Sequence, residues 1–127
     1  MKAIVVEDEP WMLKRFRMEC DGVAGLDLIS SFQSPLDALR FARTHRIELA
    51  FLDVEMPEMN GFELAGKLRA LWPEIIVVFI SAHDKYMEKA LRTGVANYYI
   101  TKPYDSDDIR AAVDEARTLL NRMRKRE

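Results

Sequence analysis

The sequence has little of what disulfide-rich, zinc-binding or membrane-spanning proteins require. Its 127 residues include one cysteine and two histidines, which excludes an intramolecular disulfide and leaves too few ligands for a Cys/His zinc site. No apolar run approaches the roughly 20 residues that cross a bilayer, and acidic residues come too early for a signal peptide. The net charge of −2 does not favour nucleic acid or a membrane surface as a partner. We therefore expect a cytoplasmic protein.

Short apolar runs alternate with segments of helical spacing along the whole chain. The runs cover residues 3–6, 26–29, 49–52, 75–80 and 98–100, and such lengths are typical of buried strands. The last amphipathic segment has the most regular spacing, with apolar residues at Ile109, Ala112, Val113, Ala116 and Leu120. Five strand–helix repeats predict one α/β domain whose parallel sheet is covered by helices on both faces.

Local signals predict where helices begin and which residues form their apolar stripes. Pro10 and Pro35 occupy plausible first helical positions, and Ser34 precedes the second of them as a cap. Gly94 is expected to close the fourth helix. The third and fourth helices are expected to carry apolar stripes of Leu64, Leu68 and Leu71, and of Met87, Ala90 and Leu91.

Polar residues follow four of the five predicted strands. Glu7 and Asp8 follow the first, Asp53 the third, Ser81 the fourth and Lys102 the fifth. Right-handed crossovers bring the carboxyl ends of parallel strands to one edge of the sheet, where open α/β sheets bind ligands. We therefore expect these side chains to share one crevice, although a turn-capping role for Asp53 is the alternative.

Three carboxylates in one crevice need compensation. Two carboxylates about 4 Å apart repel by on the order of 1 to 4 kcal/mol, so the site should raise a carboxyl pKa or recruit a cation. Hard oxygen ligands suit Mg²⁺. Lys102 and Ser81 remain as donors for an anion, and this combination suits a phosphoryl group.

Four segments together resemble the receiver domain of two-component response regulators. They are VVEDEP at 5–10, LDVEMPEMNGFEL at 52–64, FISAHD at 79–84 and YYITKP at 98–103. Any one of them would be a weak signal, but four in the same order are specific. The resemblance implies a flavodoxin-like, doubly wound (βα)5 sandwich of three layers, with strand order 2-1-3-4-5.

The resemblance also implies the acceptor and the metal ligands. Asp53 matches the aspartate that takes a phosphoryl group from a phosphohistidine of a sensor histidine kinase or phosphotransfer protein. Asp8, Asp53 and the backbone carbonyl of Glu55 would bind Mg²⁺, with Mn²⁺ as the alternative ion. Glu7 matches the other member of the acidic pair and would act through water. Aspartate is common at that position in the family, so Glu7 is a departure that should shift the metal shell without abolishing it.

Further roles follow from the resemblance on the remaining strands. Lys102 would pair with the phosphoryl oxygens, before a cis peptide bond to Pro103. Ser81 and the backbone N–H of Ala82 would donate to the phosphoryl group. Tyr99 would turn inward when Ser81 moves. The structural alternatives are a solvated Lys102, a turn role for Ser81 and a core position for Tyr99.

The resemblance also places two residues beside the site, where they are expected to be exposed and to tune the lifetime of the phosphoryl group. Glu55 follows Asp53 by two positions, and His83 follows Ser81 by two. We hypothesise that the Glu55 charge disfavours attack by water, so Glu55→Asn should change the lifetime. The alternative for both side chains is ordinary solvation.

The functions that compete with this interpretation come from other classes. A haloacid-dehalogenase-type phosphatase needs a second aspartate at the position of Glu55 and a longer chain, and a P-loop enzyme needs a glycine-rich loop that is absent from the sequence. The remaining alternative is a receiver-like binding module that is never phosphorylated. We expect no enzyme activity beyond self-phosphorylation and autodephosphorylation.

Residues 1–121 are expected to form the receiver domain, while the basic residues 122–127 form a helix end or begin a linker to an effector domain. The output of the protein would then depend on that effector, and we expect this output to be transcription. Any DNA would be bound by the effector rather than by this domain.

The face formed by the fourth helix, fifth strand and fifth helix is the expected partner or homodimer surface. Its residues are Tyr86, Met87, Leu91, Tyr98 and Ala111.

Overall fold

Strands and helices alternate along the chain in the predicted order. The computed structural model describes residues 1–125. Over those residues the strands are β1 (Lys2–Val6), β2 (Asp27–Phe32), β3 (Leu49–Asp53), β4 (Ile76–Ser81) and β5 (Tyr98–Thr101). The helices are α1 (Pro10–Glu19), α2 (Pro35–Ala42), α3 (Gly61–Leu71), α4 (Met87–Arg92) and α5 (Ser106–Lys125), with a 3₁₀ turn at Asp84–Tyr86 before α4.

All five strands are parallel and lie in the order β2-β1-β3-β4-β5. The expected flavodoxin-like, doubly wound fold is therefore confirmed. Strand order reverses at β1, which lies between β2 and β3, and a crevice opens beyond the strand ends at such a reversal. The register places Asp53 opposite Ile80 and Phe79 opposite Tyr99, so β4 links the predicted acceptor to the predicted switch.

Alternation along the strands divides the core into two apolar layers. Ile4 and Val6 pack with α2, α3 and Ala90 of α4, whereas Ala3 and Val5 pack with α1 and α5. Every residue of β3 is buried, which explains why its sequence is a continuous apolar run rather than an alternating one. The acceptor candidate Asp53 therefore stands at the end of a fully buried central strand.

Capping residues set the starts of the helices that flank the crevice. The Ser34 hydroxyl accepts a hydrogen bond from the Asp37 N–H at 3.4 Å, and the Asn60 side chain accepts one from the Glu63 N–H at 2.9 Å. Pro10 and Pro35 begin their helices as expected. These caps satisfy N–H groups that have no partner within the helix, and Asn60 fixes where the loop after Asp53 ends.

The structure corrects three local predictions. β2 extends to Phe32, beyond the expected residues 26–29, because an edge strand tolerates the half-buried polar residues that hid it in the sequence. Leu71 is 37% exposed, since α3 ends there and Trp72 packs toward α2, donating its indole N–H to the Ala42 carbonyl at 2.8 Å. Leu91 is 43% exposed and α4 buries only Ala90, because the helix has six residues and one narrow inner face.

The carboxyl-terminal helix α5 is tied to the rest of the domain as far as the structure describes it. α5 continues to Lys125, so the basic residues 122–125 are helical, and the Arg124 guanidinium pairs with Glu48 at 2.8 Å. Residues 126 and 127 of the expected helix end or linker lie outside the described part. Within residues 1–125, no helix has both the length and the apolarity needed to cross a membrane.

Gly66 offers a direct test of the helix α3 assignment. It is exposed within α3, and a Cβ built on it meets nothing within 4 Å. Replacing glycine by alanine in an open helix interior removes backbone entropy from the unfolded chain without a steric cost. We expect Gly66→Ala to raise the free energy of unfolding by about 0.5–1 kcal/mol, as measured by urea denaturation. A loss of stability would contradict the helical placement.

Candidate functional site

The carboxyl ends of four strands bring the predicted polar residues to one edge of the sheet. Glu7 and Asp8 directly follow β1, Asp53 ends β3, Ser81 ends β4, and Lys102 follows β5. The expected convergence is what the topology produces, because parallel strands in this order place their ends side by side.

Lys102 lies between two buried carboxylates. Its Nζ is 2.9 Å from Glu7 Oε1 and 3.2 Å from Asp53 Oδ2. The side chains of Lys102, Glu7 and Asp53 are only 14%, 7% and 9% exposed, so the pairing replaces most of their hydration. A solvated role for Lys102 is therefore wrong. The same Nζ lies 3.5 Å from the Met12 thioether, a contact that the sequence pattern did not indicate.

Glu7 is incompletely compensated by this lysine. Its Oε2 is buried without a hydrogen-bond partner among the described residues. Burial, together with the neighbouring Asp53 carboxylate, raises the pKa of the Glu7 carboxyl to about 8. Burial alone would lower the pKa of Lys102, but the Glu7 and Asp53 carboxylates outweigh it, and the net pKa of the ammonium is raised. The lysine therefore stays charged, whereas Glu7 would hold a negative charge near neutral pH only beside a further cation.

A divalent cation fits the three clustered carboxylates of Glu7, Asp8 and Asp53. One carboxylate oxygen from each of Glu7, Asp8 and Asp53 lies within 4.8 Å of the others. These are hard oxygen donors of the kind that Mg²⁺ prefers, and the unpartnered Glu7 Oε2 provides one free ligand atom. Asp8 is half-buried and forms the outer wall. The residues present therefore fit the cation that the family resemblance implies.

Glu55 contacts the candidate acceptor Asp53 through its backbone. Its N–H donates to Asp53 Oδ1 at 3.2 Å, whereas Lys102 contacts the other carboxylate oxygen. The Lys102–Pro103 peptide bond is cis, the geometry that the resemblance implies.

Ser81 and Tyr99 both hold the loop after β4. Ser81 is 1% exposed and its hydroxyl oxygen accepts a hydrogen bond from the His83 N–H at 3.0 Å. The Tyr99 hydroxyl donates to the His83 carbonyl at 2.7 Å, and its ring packs edge-on against Phe79 at 6.4 Å. Burial raises the pKa of Tyr99. Tyr99 is thus both a core aromatic and a hydrogen-bonding partner of the loop that begins beside Ala82.

The side chains of Glu55 and His83 contact each other beside the candidate site. Both are about half exposed, and His83 Nε2 lies 3.5 Å from Glu55 Oε1. The Tyr86 hydroxyl donates to the same Oε1 at 2.9 Å. Sequence reasoning placed Tyr86 on a partner surface and missed this contact, because residues 31 positions apart in two loops share no detectable pattern.

The expected partner surface contains both exposed and half-buried residues. Leu91 and Ala111 are exposed, whereas Tyr86, Met87 and Tyr98 are half-buried. The surface remains a prediction, since the chain stands alone in the structure.

Fold and site together define a class of protein: an open α/β domain that presents a cluster of carboxylates, including Asp53, and a nearly buried lysine at its topological switch point. The family model for the response regulator receiver domain matches residues 3–114. The chain belongs to this family and is a receiver domain of the two-component response regulators. Receiver domains of these systems interact with histidine kinases or phosphotransfer proteins.

Characterised relatives agree with this assignment. The chain is 35% identical over 122 residues to the transcriptional regulatory protein MalR of Bacillus subtilis, covering 92% of this chain and 50% of MalR. It is 27% identical over 117 residues to the transcriptional regulatory protein LytR of Staphylococcus aureus, covering 92% of this chain and 47% of LytR. The chain thus spans about half the length of these relatives.

A solved structure resembles the fold throughout. The response regulatory domain of protein mrkE from Klebsiella pneumoniae superposes with a TM-score of 0.83 at 27% identity, covering 96% of this chain and 99% of that one.

Proposed function

We propose that this domain accepts a phosphoryl group on Asp53 from a phosphohistidine of a partner kinase or phosphotransfer protein and thereby switches an output. The observation that carries the proposal is the position of Lys102 Nζ, 3.2 Å from Asp53 Oδ2 in a nearly buried site. An ammonium held there can follow the phosphoryl oxygens as the acceptor carboxylate becomes an acyl phosphate.

The transfer is a nucleophilic displacement at phosphorus. A carboxylate oxygen of Asp53 forms the new P–O bond while the P–N bond to the donor imidazole breaks. The electron pair of the broken bond stays on the imidazole nitrogen, which takes up a proton. Lys102 stabilises the charge on the transferred group, and the Glu55 N–H, 3.2 Å from Asp53 Oδ1, orients the nucleophile.

Glu7, Asp8 and Asp53, with the backbone carbonyl of Glu55, would hold Mg²⁺ or Mn²⁺. The ion supplies charge neutralisation for the phosphoryl oxygens. Glu7 has the free Oε2 for this role, directly or through water.

Metal binding has a readout that needs no phosphodonor. Because a ligand that binds only the folded state stabilises it, we expect saturating Mg²⁺ to raise the Tm of the wild type in differential scanning fluorimetry. Asp8→Asn should abolish most of that rise, since it removes one of the three clustered carboxylates. An equal rise in both proteins would place the cation elsewhere.

The switch would act on the loop after β4. A phosphoryl group on Asp53 offers acceptors to the Ser81 hydroxyl, the Ala82 N–H and Lys102. Drawing Ser81 toward Asp53 would strain the hydrogen bond that the Ser81 hydroxyl accepts from the His83 N–H. Tyr99 would respond as well, because its hydroxyl donates to the His83 carbonyl. The α4-β5-α5 surface would change in consequence and recruit a partner or a second copy.

Output and catalysis follow from the same proposal. The names of the MalR and LytR relatives support transcription as the output of the whole protein, with DNA contacted through an effector rather than by this domain. The domain would catalyse only its own phosphorylation and dephosphorylation in the cytoplasm. Glu55 and His83 would set the rate of the second step.

Intact mass measured after incubation with Mg²⁺ and a small acyl-phosphate donor tests the proposal. We expect one phosphoryl adduct on the wild type, and none on Asp53→Asn or on wild type in chelator. An absence of adduct where a control receiver domain is labelled would favour a binding module that is never phosphorylated.

A further inference from the structure

Glu55 connects the acceptor to the start of α4. Its backbone N–H touches Asp53 Oδ1 at 3.2 Å, while its carboxylate accepts the Tyr86 hydroxyl at 2.9 Å. Tyr86 is the last residue of the 3₁₀ turn and adjoins α4. One residue therefore joins the loop after β3 to the loop after β4, independently of Ser81 and Tyr99.

We propose that Tyr86 is a positioning residue that acts through Glu55: its hydroxyl holds the Glu55 carboxylate across the gap between β3 and β4, restricts water and keeps the Glu55 backbone against Asp53. This inference rests on the proposed function, because the water that it restricts is the one that hydrolyses the acyl phosphate. We call the contact the Glu55–Tyr86 bridge.

The bridge joins the two loops that follow Asp53 and Ser81. Asp53 lies opposite Ile80 in the β3–β4 register, so the loops that follow Asp53 and Ser81 leave the sheet side by side. Glu55 and His83 approach to 3.5 Å from these two loops, and the Tyr86 hydroxyl binds the same Glu55 oxygen. On this proposal, water that approaches a phosphoryl group on Asp53 from the side of these two loops meets the cluster.

The loop after β3 contains one residue in the left-handed backbone region and is held by several contacts. Glu58 has a φ of 70°, a backbone conformation that costs a non-glycine residue free energy and persists only where neighbouring contacts impose it. Gly61 N–H bonds the Val54 carbonyl at 2.9 Å and closes the base of the loop. The Glu55–Tyr86 bridge supplies a further contact near its beginning.

The Tyr86 ring and the Tyr86 hydroxyl have different contact partners. It packs against Phe62 with ring centroids 6.1 Å apart, and the Lys85 ammonium lies 5.1 Å from its centroid. Phe62 in turn contacts Phe79 of the core at 5.0 Å. Tyr86→Phe therefore keeps the ring packing and removes only the bond to Glu55.

The test measures the lifetime of the phosphorylated domain in Mg²⁺ by intact mass, in a double-mutant cycle. A solvent-exposed hydrogen bond such as this one lies toward the weak end of the usual net range, which corresponds to about a threefold change in rate. We expect Tyr86→Phe to shorten the lifetime about threefold in the wild-type background, and to leave it unchanged in a Glu55→Ala background. No change in either background, or the same factor in both, would overturn the proposal.

A matched control separates the bridge from general loosening of α4. Thr93→Val removes a different hydroxyl bond at the end of this helix, the one to the Lys89 carbonyl, far from Glu55 in the sequence. We expect it to leave the lifetime unchanged. A shortening equal to that of Tyr86→Phe would overturn the assignment.

Hydrogen–deuterium exchange of the unphosphorylated domain provides a readout that does not depend on phosphoryl transfer. We expect Tyr86→Phe to increase exchange in residues 54–60 as well as 83–86, and Thr93→Val to leave residues 54–60 unchanged. If no variant accepts a phosphoryl group, the proposed function fails while the exchange data still decide the bridge. Unaltered exchange in residues 54–60 of Tyr86→Phe would overturn it.

Discussion

Lys102→Met is expected to lower both the stability of the metal-free domain and its reactivity. The substitution leaves Glu7 and Asp53 buried without the ammonium that lies 2.9 and 3.2 Å from them. Removing one partner of a buried ion pair costs about 3–5 kcal/mol. We expect the lower part of that range, since the Glu7 carboxyl has a raised pKa and can take a proton in place of the lysine.

Phosphoryl transfer to this variant should be slower by about a hundredfold, the usual cost of removing one preorganised donor from a developing charge. Mg²⁺ should stabilise the variant more than the wild type, because a divalent cation offsets the same two carboxylates. Urea denaturation with and without Mg²⁺ and the time course of intact mass measure both effects.

Lys67→Met is the matched control for loss of a lysine. Lys67 is exposed on α3, so its replacement should change neither stability by more than about 0.5 kcal/mol nor the labelling rate. A Lys102→Met protein that is labelled as fast as the wild type would remove Lys102 from the mechanism.

Gly61→Ala is expected to displace the backbone that carries Asp53. A Cβ on Gly61 would lie 2.6 Å from the Asp53 carbonyl oxygen and 3.0 Å from the Val54 Cα. Both atoms belong to the backbone at the end of the buried strand β3, so they cannot move aside as a flexible side chain would. We expect a loss of about 1–3 kcal/mol in the free energy of unfolding and slower labelling of Asp53.

Gly66→Ala in the same helix is the matched control for this change. Its added methyl group meets open space, so it should stabilise the domain and leave labelling unchanged. If Gly61→Ala were as stable and reactive as Gly66→Ala, the close approach of α3 to the end of β3 would be refuted.

Hydrophobic patterning was sufficient to predict a parallel α/β sheet covered by helices on both faces, whereas the strand order came from the family resemblance. The continuous apolar runs at residues 49–52 and 75–80 arise because β3 and β4 are covered on both faces. This signal does not depend on how individual side chains pack. The convergence of Glu7, Asp53 and Lys102 followed from topology alone, since each stands where a predicted strand ends.

Details that depend on unpatterned contacts were not predictable. Edge strand β2 contains Ser30 and Ser31, whose polarity concealed its length. The expected stripe residues Leu71 and Leu91 are exposed because a helix that ends early presents its last apolar residue to solvent. The pairing of Tyr86 with Glu55 depends on two loop conformations that no periodicity encodes.

The central claim, that Asp53 is the acceptor, is tested most directly by locating the adduct. Borohydride reduces an acyl phosphate to the corresponding alcohol, which converts a phosphorylated aspartate to homoserine that peptide mass mapping can place. After labelling in Mg²⁺, we predict homoserine at position 53 and unmodified aspartate at position 8. Homoserine at position 8, or no reduced residue in a protein whose mass shows the adduct, would contradict the account.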